Sequence, residues 1–339
     1  MNIFRNYSLK PHNSFGLDYK ADTFISVSSE EEALAALISE VDFKKPILVL
    51  GGGSNLLFVS DFHGTIIYPE IEGIKVEFTD KGSTIISCGS GVNWDTFVEW
   101  AVRNGYGGVE NLSLIPGKVG ATPVQNIGAY GIEIKDIIYK VRAVSLEQGG
   151  IREFTAEECL FGYRESIFKG ELKNRVLITR VWFKLSTRPE YVTNYGSLKG
   201  EIEKLGIPSL TTIRQAVINI RRSKLPDPGL FGNAGSFFKN PVVEKGISDN
   251  LIKKHPGLPV YPDTSGGVKI SAGWLIEHCG WKGKRHGNAG VFDKQALVIV
   301  NYGNSNGKEI LELSEMINKS VFEEFGINLQ REVEVVGSL

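Results

Sequence analysis

Residues 46–58 read PILVLGGGSNLLF: a short apolar strand, a turn of three glycines and a second apolar run. Glycines after a strand let backbone N–H groups approach a phosphate group closely. The dinucleotide-binding pattern G-x-G-x-x-G fails, because Leu56 stands at the last glycine position and a strand-like run follows where a helix is needed. Two interpretations therefore stay open, a phosphate cradle and a tight structural turn, and the polar Ser54 and Asn55 slightly favour the cradle.

A second glycine-rich segment, residues 113–131, reads SLIPGKVGATPVQNIGAYG. It holds too many Gly and Pro residues for one regular element. Apolar Ile115, Val124, Ile127 and Tyr130 are interspersed among the glycines, which predicts that the segment is buried against something. A flat cofactor and the protein core are the two candidates.

Composition and motif searches exclude several classes of protein. The net charge of −1 and the pI of about 6.6 do not indicate a nucleic-acid partner. We expect a cytoplasmic protein, because no signal peptide and no apolar run of membrane-spanning length is found. We also expect a monomer. Cys88, Cys159 and Cys279 form no CxxC pair, so neither a zinc site nor a disulfide framework is predicted. Gly117-Lys118 does not complete a phosphate-binding loop of ATPases.

The order of helices and strands predicts an α+β fold without a regular βαβ rhythm. With 339 residues, the chain is long for one hydrophobic core, so we expect two or three domains. The clearest predicted elements are a helix at 93–105 capped by Asn93, a strand at 176–186, a short helix opened by the capping pair Thr155 and Glu158, a helix with Ile213, Ala216, Val217 and Ile220 on one face, a long helix ending at Gly326 and a C-terminal strand.

Three polar residues are candidates for a functional role, and each also has a simple structural explanation. Arg164 lies among aromatic and apolar neighbours, which favours partial burial and a carboxylate partner, and Glu165 would make this a structural ion pair. Ser236 follows Ala-Gly, where a turn or cap residue is common. Glu332 lies in the C-terminal strand, where a solvated edge residue is the local expectation.

An ordered set of segments resembles one family over nearly the whole chain. The segments are LGGGSNLLF, SLIPGKVGATPVQNIGAYG, FGYRESIFK, KLPDPGLFGNAGSFFKNP and SAGWLIEHCGWKGKRHGNAGVF. Their order and spacing are similar to the UDP-N-acetylenolpyruvoylglucosamine reductase family. NYGSLKG at 194–200 resembles the subtype that carries an extra tyrosine-bearing loop.

The resemblance implies three domains and an FAD-binding fold of the vanillyl-alcohol-oxidase/CO-dehydrogenase-flavoprotein type, not a Rossmann fold. The expected boundaries are 1–70 and 71–212 for the two FAD-binding subdomains and 213–327 for the UDP-sugar domain, with the strand at 328–339 a candidate addition to the second subdomain. The implied reaction uses non-covalent FAD and the co-substrate NADPH to reduce the enolpyruvyl group of UDP-N-acetylglucosamine enolpyruvate, in bacterial peptidoglycan synthesis. No metal, membrane or nucleic-acid partner is implied.

The family motifs also imply roles for individual residues. Arg164 matches the cation at the substrate carboxylate, Glu332 the acid beside it, and Ser236 the proton donor to C2. We infer that Glu332 is protonated or bridged by water when charge develops near it. The implied FAD contacts are Gly51, Gly52, Gly53, Ser54, Asn55, Leu56, Pro116, Gly117, Gly120, Thr122, Val124, Gly128 and Tyr130. The implied substrate contacts are Tyr163, Tyr195, Lys224, Asn240 and Gln295.

Two departures from the family pattern affect these expectations. Ala121 stands where a serine is common, so a flavin contact is lost or taken over by Thr122. Arg331 stands where a proline often precedes the acid.

Two other functions compete with the reductase. A sugar or alcohol oxidase of the same fold often holds FAD covalently, but residues 51–58 contain no His or Cys to form that link. A UDP-sugar or flavin-binding regulator would need no Ser236/Glu332 pair.

Overall fold

The computed structural model describes residues 1–263 and 266–337. Packing divides them into two compact units. The first unit comprises residues 1–7, 20–53 and 62–222, and the second comprises residues 8–19, 54–61 and 223–339.

Strands and short helices alternate irregularly along the chain, as the α+β prediction requires. The elements are β1 (Asn2–Ser8), β2 (Lys20–Val27), α1 (Glu30–Ser39), β3 (Ile47–Val49), β4 (Leu56–Phe58), β5 (Phe62–Pro69), β6 (Ile74–Thr79), β7 (Ser83–Gly89), α2 (Trp94–Arg103), β8 (Gly128–Ala129), β9 (Ile132–Glu133), β10 (Ile138–Ser145), β11 (Ile151–Thr155), β12 (Val176–Ser186), α3 (Leu198–Leu205), α4 (Leu210–Lys224), β13 (Gly232–Ser236), β14 (Val242–Val243), α5 (Lys245–Lys254), β15 (Val260–Pro262), β16 (Val268–Ile270), α6 (Ala272–His278), β17 (Arg285–His286), β18 (Ala289–Val291), β19 (Val298–Asn301), α7 (Gly307–Phe325) and β20 (Glu334–Val336).

The first unit contains two main sheets. One has the order β1-β2-β5-β3, in which β2 and β3 both run parallel to β5. The other is antiparallel, with the order β11-β10-β12-β7-β6. The predicted strand at 176–186 is β12, at the middle of this second sheet. The glycine turn leads into a strand, β4, which confirms that it is not the strand-to-helix turn of a Rossmann fold.

Helix α2 packs its apolar face into the core of the first unit. Asn93 caps it by accepting a hydrogen bond from Thr96 N–H, and Gly105 follows its end with a φ of 78°. Trp94 and Phe97 are fully buried beside Phe183 of β12, with ring centroids 5.8 and 4.7 Å from it. The predicted helix and its caps are confirmed.

The second unit has its own core. Its antiparallel sheet has the order β13-β19-β18-β17, with a second sheet of order β14-β16-β15. Helix α7 contributes buried Ile310, Leu313, Ile317 and Val321 to the core, and Gly326 ends it in the left-handed conformation, as expected. The C-terminal strand is shorter than predicted and covers only β20.

Packing groups some segments differently from the expected boundaries. Residues 213–222 belong to the first unit, because Ile213, Ala216 and Val217 of α4 pack against Leu198 and Ile202 of α3. Strand β20 runs parallel to β4 in the second unit, whereas the sequence suggested joining it to residues 71–212. The functional domain boundaries stay a prediction.

The capping pair at Thr155 forms without a helix. Glu158 accepts from Thr155 N–H at 2.8 Å and Glu158 N–H donates to Thr155 Oγ1 at 3.3 Å, as a capping box requires. Residues 156–160 nevertheless form only a turn, so the predicted helix is wrong. Leu160 adopts a φ of 48°, which a right-handed helix cannot accommodate.

Candidate active site

The glycine turn packs against the second glycine-rich segment inside the first unit. A Cβ atom added to Gly52 would lie 2.7 Å from Gly117 Cα, and one added to Gly51 would lie 3.0 Å from Ala121 Cβ. Both distances are too short for a side chain to be accepted without movement of the neighbouring loop. Two bare backbones therefore pack directly against each other, and their glycines leave backbone N–H groups unshielded by side chains, as close approach of a diphosphate or a flat ring requires.

Ser90 is a polar residue beside these backbones that the sequence did not single out. Gly120 N–H donates to Ser90 O at 3.0 Å, and a Cβ atom on Gly120 would lie 2.5 Å from Ser90 Cβ. Ser90 Oγ is buried and has no hydrogen-bond partner among the described residues. Buried hydroxyl groups normally have a partner, so this atom marks a place where a ligand group fits.

Residues 113–131 are irregular, as predicted. Some of their apolar side chains lie in the protein core and others are only partly covered by it. Val119 and Ile127 are buried in the core of the first unit, while Ile115 and Val124 are only partly buried against it. Thr122 is buried and its hydroxyl donates to Val119 O at 2.8 Å. The hydroxyl proton that could replace the missing serine contact is thus used within the turn.

Several residues in and near this segment adopt left-handed backbone conformations. The φ angles are 58° for Leu114, 44° for Asn126, 50° for Tyr130 and 57° for Arg164. For residues other than glycine such conformations cost about 1 kcal/mol or more each, and they concentrate at functional sites.

Arg164 lies against the same segment. Its Nη2 donates to Gly128 O at 2.9 Å, and its Nη1 donates to Asn126 O at 3.4 Å. The side chain is half-buried, and the guanidinium carbon lies 5.8 Å from the Tyr163 ring centroid. Backbone carbonyls therefore fix the direction of a cation that the sequence predicted to be functional.

Arg221 on α4 is a second cation of the first unit, which the sequence did not predict. Its Nε is buried and has no hydrogen-bond partner among the described residues. Burial lowers the pKa of Arg221, and the nearby Tyr130 and Asp95 oppose that shift. Asp95 is already engaged by Arg214, through bonds of 2.7 and 2.9 Å. A guanidinium in this setting suits an anionic ligand group near Tyr130.

In the second unit, Ser236 and Glu332 lie on segments joined by backbone hydrogen bonds. Glu332 N–H donates to Phe237 O at 2.8 Å, and Lys239 N–H donates to Gln330 O at 2.9 Å. Both catalytic candidates are half-buried, so Glu332 is not the solvated edge residue of the local alternative.

Asn55, at the end of the glycine turn, is hydrogen-bonded to the backbone of Glu332. Its Nδ2 donates to Glu332 O at 3.0 Å, and its backbone carbonyl accepts from Glu334 N–H at 3.0 Å. The sequence predicted a phosphate contact for Asn55. The structure adds that its amide positions the backbone of the candidate acid.

Two predicted substrate contacts surround the start of α6. Asn240 Oδ1 accepts from Ala272 N–H at 2.9 Å, and Gln295 Oε1 lies 3.3 Å from where a Cβ atom on Gly273 would stand. Lys224 is exposed at the end of α4.

Comparisons with known proteins agree with this geometry. A family model for the FAD binding domain matches residues 21–155, and a model for the C-terminal domain of UDP-N-acetylenolpyruvoylglucosamine reductase matches residues 227–336. A reductase of that name from Flavobacterium johnsoniae is 47% identical over 99% of this chain and 100% of its own length. One from Bacteroides fragilis is 45% identical over 98% of this chain and 99% of its own.

The chain belongs to the UDP-N-acetylenolpyruvoylglucosamine reductase family. A solved reductase of this family, from Thermus caldophilus, is 28% identical and covers 99% of this chain and 100% of its own, with a TM-score of 0.69. The FAD-binding match includes the glycine turn and all of residues 113–131, so in this reductase family both segments belong to the flavin-binding domain.

The predicted residues of this family member fall into two sets. The first unit holds Gly51, Gly52, Gly53, Pro116, Gly117, Gly120, Thr122, Val124, Gly128, Tyr130, Tyr163, Arg164 and Tyr195, and the second unit holds Ser54, Asn55, Leu56, Lys224, Ser236, Asn240, Gln295 and Glu332. Cys88 and Cys159 are fully buried, whereas Cys279 is only partly buried.

Residues 1–263 and 266–337 contain no group of three or more His, Cys, Asp or Glu side chains that could hold a metal ion. The same part of the chain contains no helix long and apolar enough to cross a membrane.

Proposed function

We propose that this chain reduces UDP-N-acetylglucosamine enolpyruvate to UDP-N-acetylmuramate in the cytoplasm, using FAD as its bound cofactor and NADPH as the electron donor. The observation that carries the proposal is the 47% identity to a named reductase over 99% of the chain, combined with the bare-backbone cradle at Gly52 and Gly117. Bound FAD supplies hydride transfer, from NADPH to C3 of the enolpyruvyl group.

Arg164 is proposed to bind the substrate carboxylate. Addition of hydride at C3 moves negative charge onto this carboxylate, so a cation held there stabilises the transition state more than the bound substrate. One fixed contact of this kind contributes about 3–4 kcal/mol. The hydrogen bond from Nη2 to Gly128 O supports the role, because it restricts the guanidinium to one direction.

Ser236 is proposed to deliver a proton to C2 of the substrate, and Glu332 to act as the acid next to the developing charge. A serine hydroxyl is a weak acid, so proton delivery requires neighbours that stabilise the alkoxide. The backbone hydrogen bond from Glu332 to Phe237 supports placing both residues on one substrate. Asn55 fixes the backbone of Glu332 for this task.

The remaining polar residues are proposed to bind the UDP-sugar. Lys224 and the Tyr195 hydroxyl suit the diphosphate, since an ammonium and a phenol both donate hydrogen bonds to phosphate oxygens. Asn240 and Gln295 offer amide groups at the start of α6, and Tyr163 lies beside Arg164. Tyr195 is 50% exposed, so a ligand can reach its hydroxyl group.

The deciding experiment is anaerobic. The purified protein is loaded with FAD, mixed with NADPH and then with UDP-N-acetylglucosamine enolpyruvate, while absorbance is followed between 350 and 500 nm. Bleaching by NADPH and recovery on adding the enolpyruvyl compound would establish the proposed function. Bleaching without recovery would refute the substrate, and a protein that takes up no FAD would refute the whole proposal.

The role of Ser236 makes a separate prediction. Ser236→Ala keeps the flavin bleaching by NADPH but loses turnover by a factor of about 100 or more, since general acid catalysis typically contributes that much. Stopped-flow absorbance measures the two half-reactions separately. Normal product formation by the variant would remove Ser236 from the mechanism.

A further inference from the structure

Asn111 is a buried residue that no part of the proposed mechanism uses. It is 1% exposed and lies in the short turn Glu110–Leu112 after α2. Its Nδ2 donates to Tyr130 O and to Val192 O, both at 2.8 Å. An amide nitrogen has two hydrogens, so both donors are used on carbonyls of two different segments.

The segment that contains Val192 has few other attachments. Residues 187–197 connect β12 to α3 without regular structure, and Tyr191, Val192 and Tyr195 are 39%, 38% and 50% exposed. Leu198 N–H donates to Tyr195 O at 3.0 Å next to the segment, and the bond from Asn111 to Val192 O links the segment to residues far from it in the sequence. The position of the segment therefore depends strongly on this amide.

The other carbonyl that Asn111 holds belongs to the segment lining the proposed flavin site. The rings of Tyr130 and Tyr195 make an edge-to-face contact, with centroids 6.2 Å apart and planes at 79°. Gly131 leaves the room for this contact, because a Cβ atom there would lie 3.1 Å from Val192 Cγ1 and 3.7 Å from Tyr195 Cδ2. Asn111 thus connects the backbones of two segments whose tyrosine rings are also in contact.

We propose that Asn111 is a positioning residue that holds the Tyr195 segment against Tyr130 before the substrate binds. A loop ordered in advance loses less conformational entropy when the ligand arrives, so the substrate binds more tightly. The inference rests on the proposed function only in naming the ligand of Tyr195. The tie between the two segments stands on the hydrogen bonds alone.

The first test removes both donors with little change of volume. Asn111→Leu is expected to raise the KM for UDP-N-acetylglucosamine enolpyruvate about tenfold, the effect of losing one or two hydrogen bonds, while kcat changes less. In a Tyr195→Ala background the same substitution should raise KM no further, because the tyrosine side chain that Asn111 is proposed to position is already absent. The FAD content, measured on the same samples as the ratio of absorbance at 450 nm to protein concentration, shows whether a higher KM comes from weaker FAD binding or from a displaced Tyr195 segment.

A second test needs no substrate. Chymotrypsin cleaves after tyrosine, and release of the segment should speed cleavage after Tyr191 and Tyr195 several-fold in Asn111→Leu. Asn111→Ser, which retains one donor, should give a smaller increase and serves if the leucine variant does not fold. Equal KM increases with and without Tyr195, or unchanged cleavage in a folded variant, would overturn the inference. A wild-type protein inactive on the enolpyruvyl substrate would refute the proposed function and leave the cleavage test decisive for Asn111.

Discussion

At the residue scale, Gly52 is the position where a single added carbon should matter most. Its Cβ would lie 2.7 Å from Gly117 Cα and 3.3 Å from Gly117 C, both backbone atoms that cannot swing aside. We therefore expect Gly52→Ala to force the two segments apart, reducing stability by about 1–3 kcal/mol and lowering the FAD content of the purified protein. Urea unfolding and the ratio of absorbance at 450 and 280 nm measure the two effects.

The matched control is Gly82→Ala. A Cβ atom at Gly82 would meet nothing within 4 Å, and its φ is not in the left-handed region. The control should keep its flavin and change stability by less than about 0.5 kcal/mol. If both variants retain FAD equally, the close approach of the two glycine segments has no part in cofactor binding.

Lys118, also in the second glycine segment, gives a prediction about pH. Its ammonium donates to Pro69 O at 2.8 Å and lies 3.5 Å from the Tyr68 ring centroid. Burial lowers the pKa of Lys118 to about 8, against the attraction of Glu70 and Glu72. Between pH 8 and the unfolded value of about 10.4, the unfolded chain binds more protons than the folded one, so this group makes stability fall as the pH drops through that window.

Lys118→Met should remove this part of the pH dependence. The difference in unfolding free energy between wild type and variant should change between pH 8 and 10.4 and be constant below pH 8, as urea unfolding at several pH values can show. Lys45→Met is the control, because an ion pair with Asp22 raises the pKa of Lys45 instead. The stability from that pair is lost only above the unfolded value, so its difference should stay flat from pH 8 to 10. A flat difference for Lys118→Met too would contradict a lowered pKa.

The sequence predicted residues that belong to motifs and missed those defined by burial. Arg164 and Ser236 lie in the ordered segments, and the family resemblance implied Glu332. Arg221 and Ser90 did not, because their signal is a buried polar atom without a partner, which exists only after the chain has folded. The sequence alone does not show which carbonyl an amide group will bind, or which polar side chain will lose its contact with water on folding.

At the scale of elements, Asp95 connects two helices and one irregular segment. It lies in the first turn of α2, accepts from Leu114 N–H at the start of the second glycine-rich segment, and accepts two hydrogen bonds from Arg214 of α4. Burial raises the pKa of Asp95, but these hydrogen bonds outweigh it and lower the pKa overall. Asp95→Asn would leave Arg214 without its counter-charge, and we expect a loss of about 3 kcal/mol in urea unfolding.

The matched control has the same geometry on the surface. Arg175 Nε and Nη2 donate to Glu147 at 2.7 and 2.9 Å, but both side chains are about half exposed, at 49% and 53%. Asp95 and Arg214 are 26% and 12% exposed. Glu147→Gln should therefore change stability far less than Asp95→Asn does, because solvent screens an exposed pair. Similar losses for the two substitutions would mean that burial does not set the strength of the Asp95 pair.

Elements with strong local patterns were predicted well, and elements that depend on their surroundings were not. The cap and the apolar face of α2 are visible in the sequence, and the helix forms as expected. The capping pair of Thr155 and Glu158 is equally visible, but too few residues follow before Leu160 turns left-handed. A cap satisfies donors at a helix start but cannot supply the length that makes a helix stable.

At the scale of the whole molecule, the second unit contains a pair of strands, β4 and β20, that come from distant parts of the chain. Val336 is 7% exposed on β20, and Val59 N–H donates to its carbonyl at 2.9 Å. Val336→Ala should destabilise this unit by about 2 kcal/mol through the lost methyl groups and the cavity. The effect should appear in the unfolding transition reported by Trp274 and Trp281, which pack against its core.

The control for this prediction is Val242→Ala, also in the second unit. Val242 is 42% exposed, so its truncation should shift the transition far less. Equal shifts would show that β20 is not part of the core. The pairing of β20 with β4 was the least predictable feature of the fold, because three-residue strands carry almost no local signal and their partners are set by packing.

The parallel pairing of β4 with β20 also has a consequence for how the protein is made. The ribosome synthesises β4 long before β20, because Leu56 precedes its partner Glu334 by 278 positions. At about 5–20 residues per second, Leu57 and Phe58 wait on the order of tens of seconds for their partner strand. Throughout that interval the nascent chain presents an apolar, unpaired strand to its surroundings, so chaperones that bind apolar segments should associate with it until β20 has emerged.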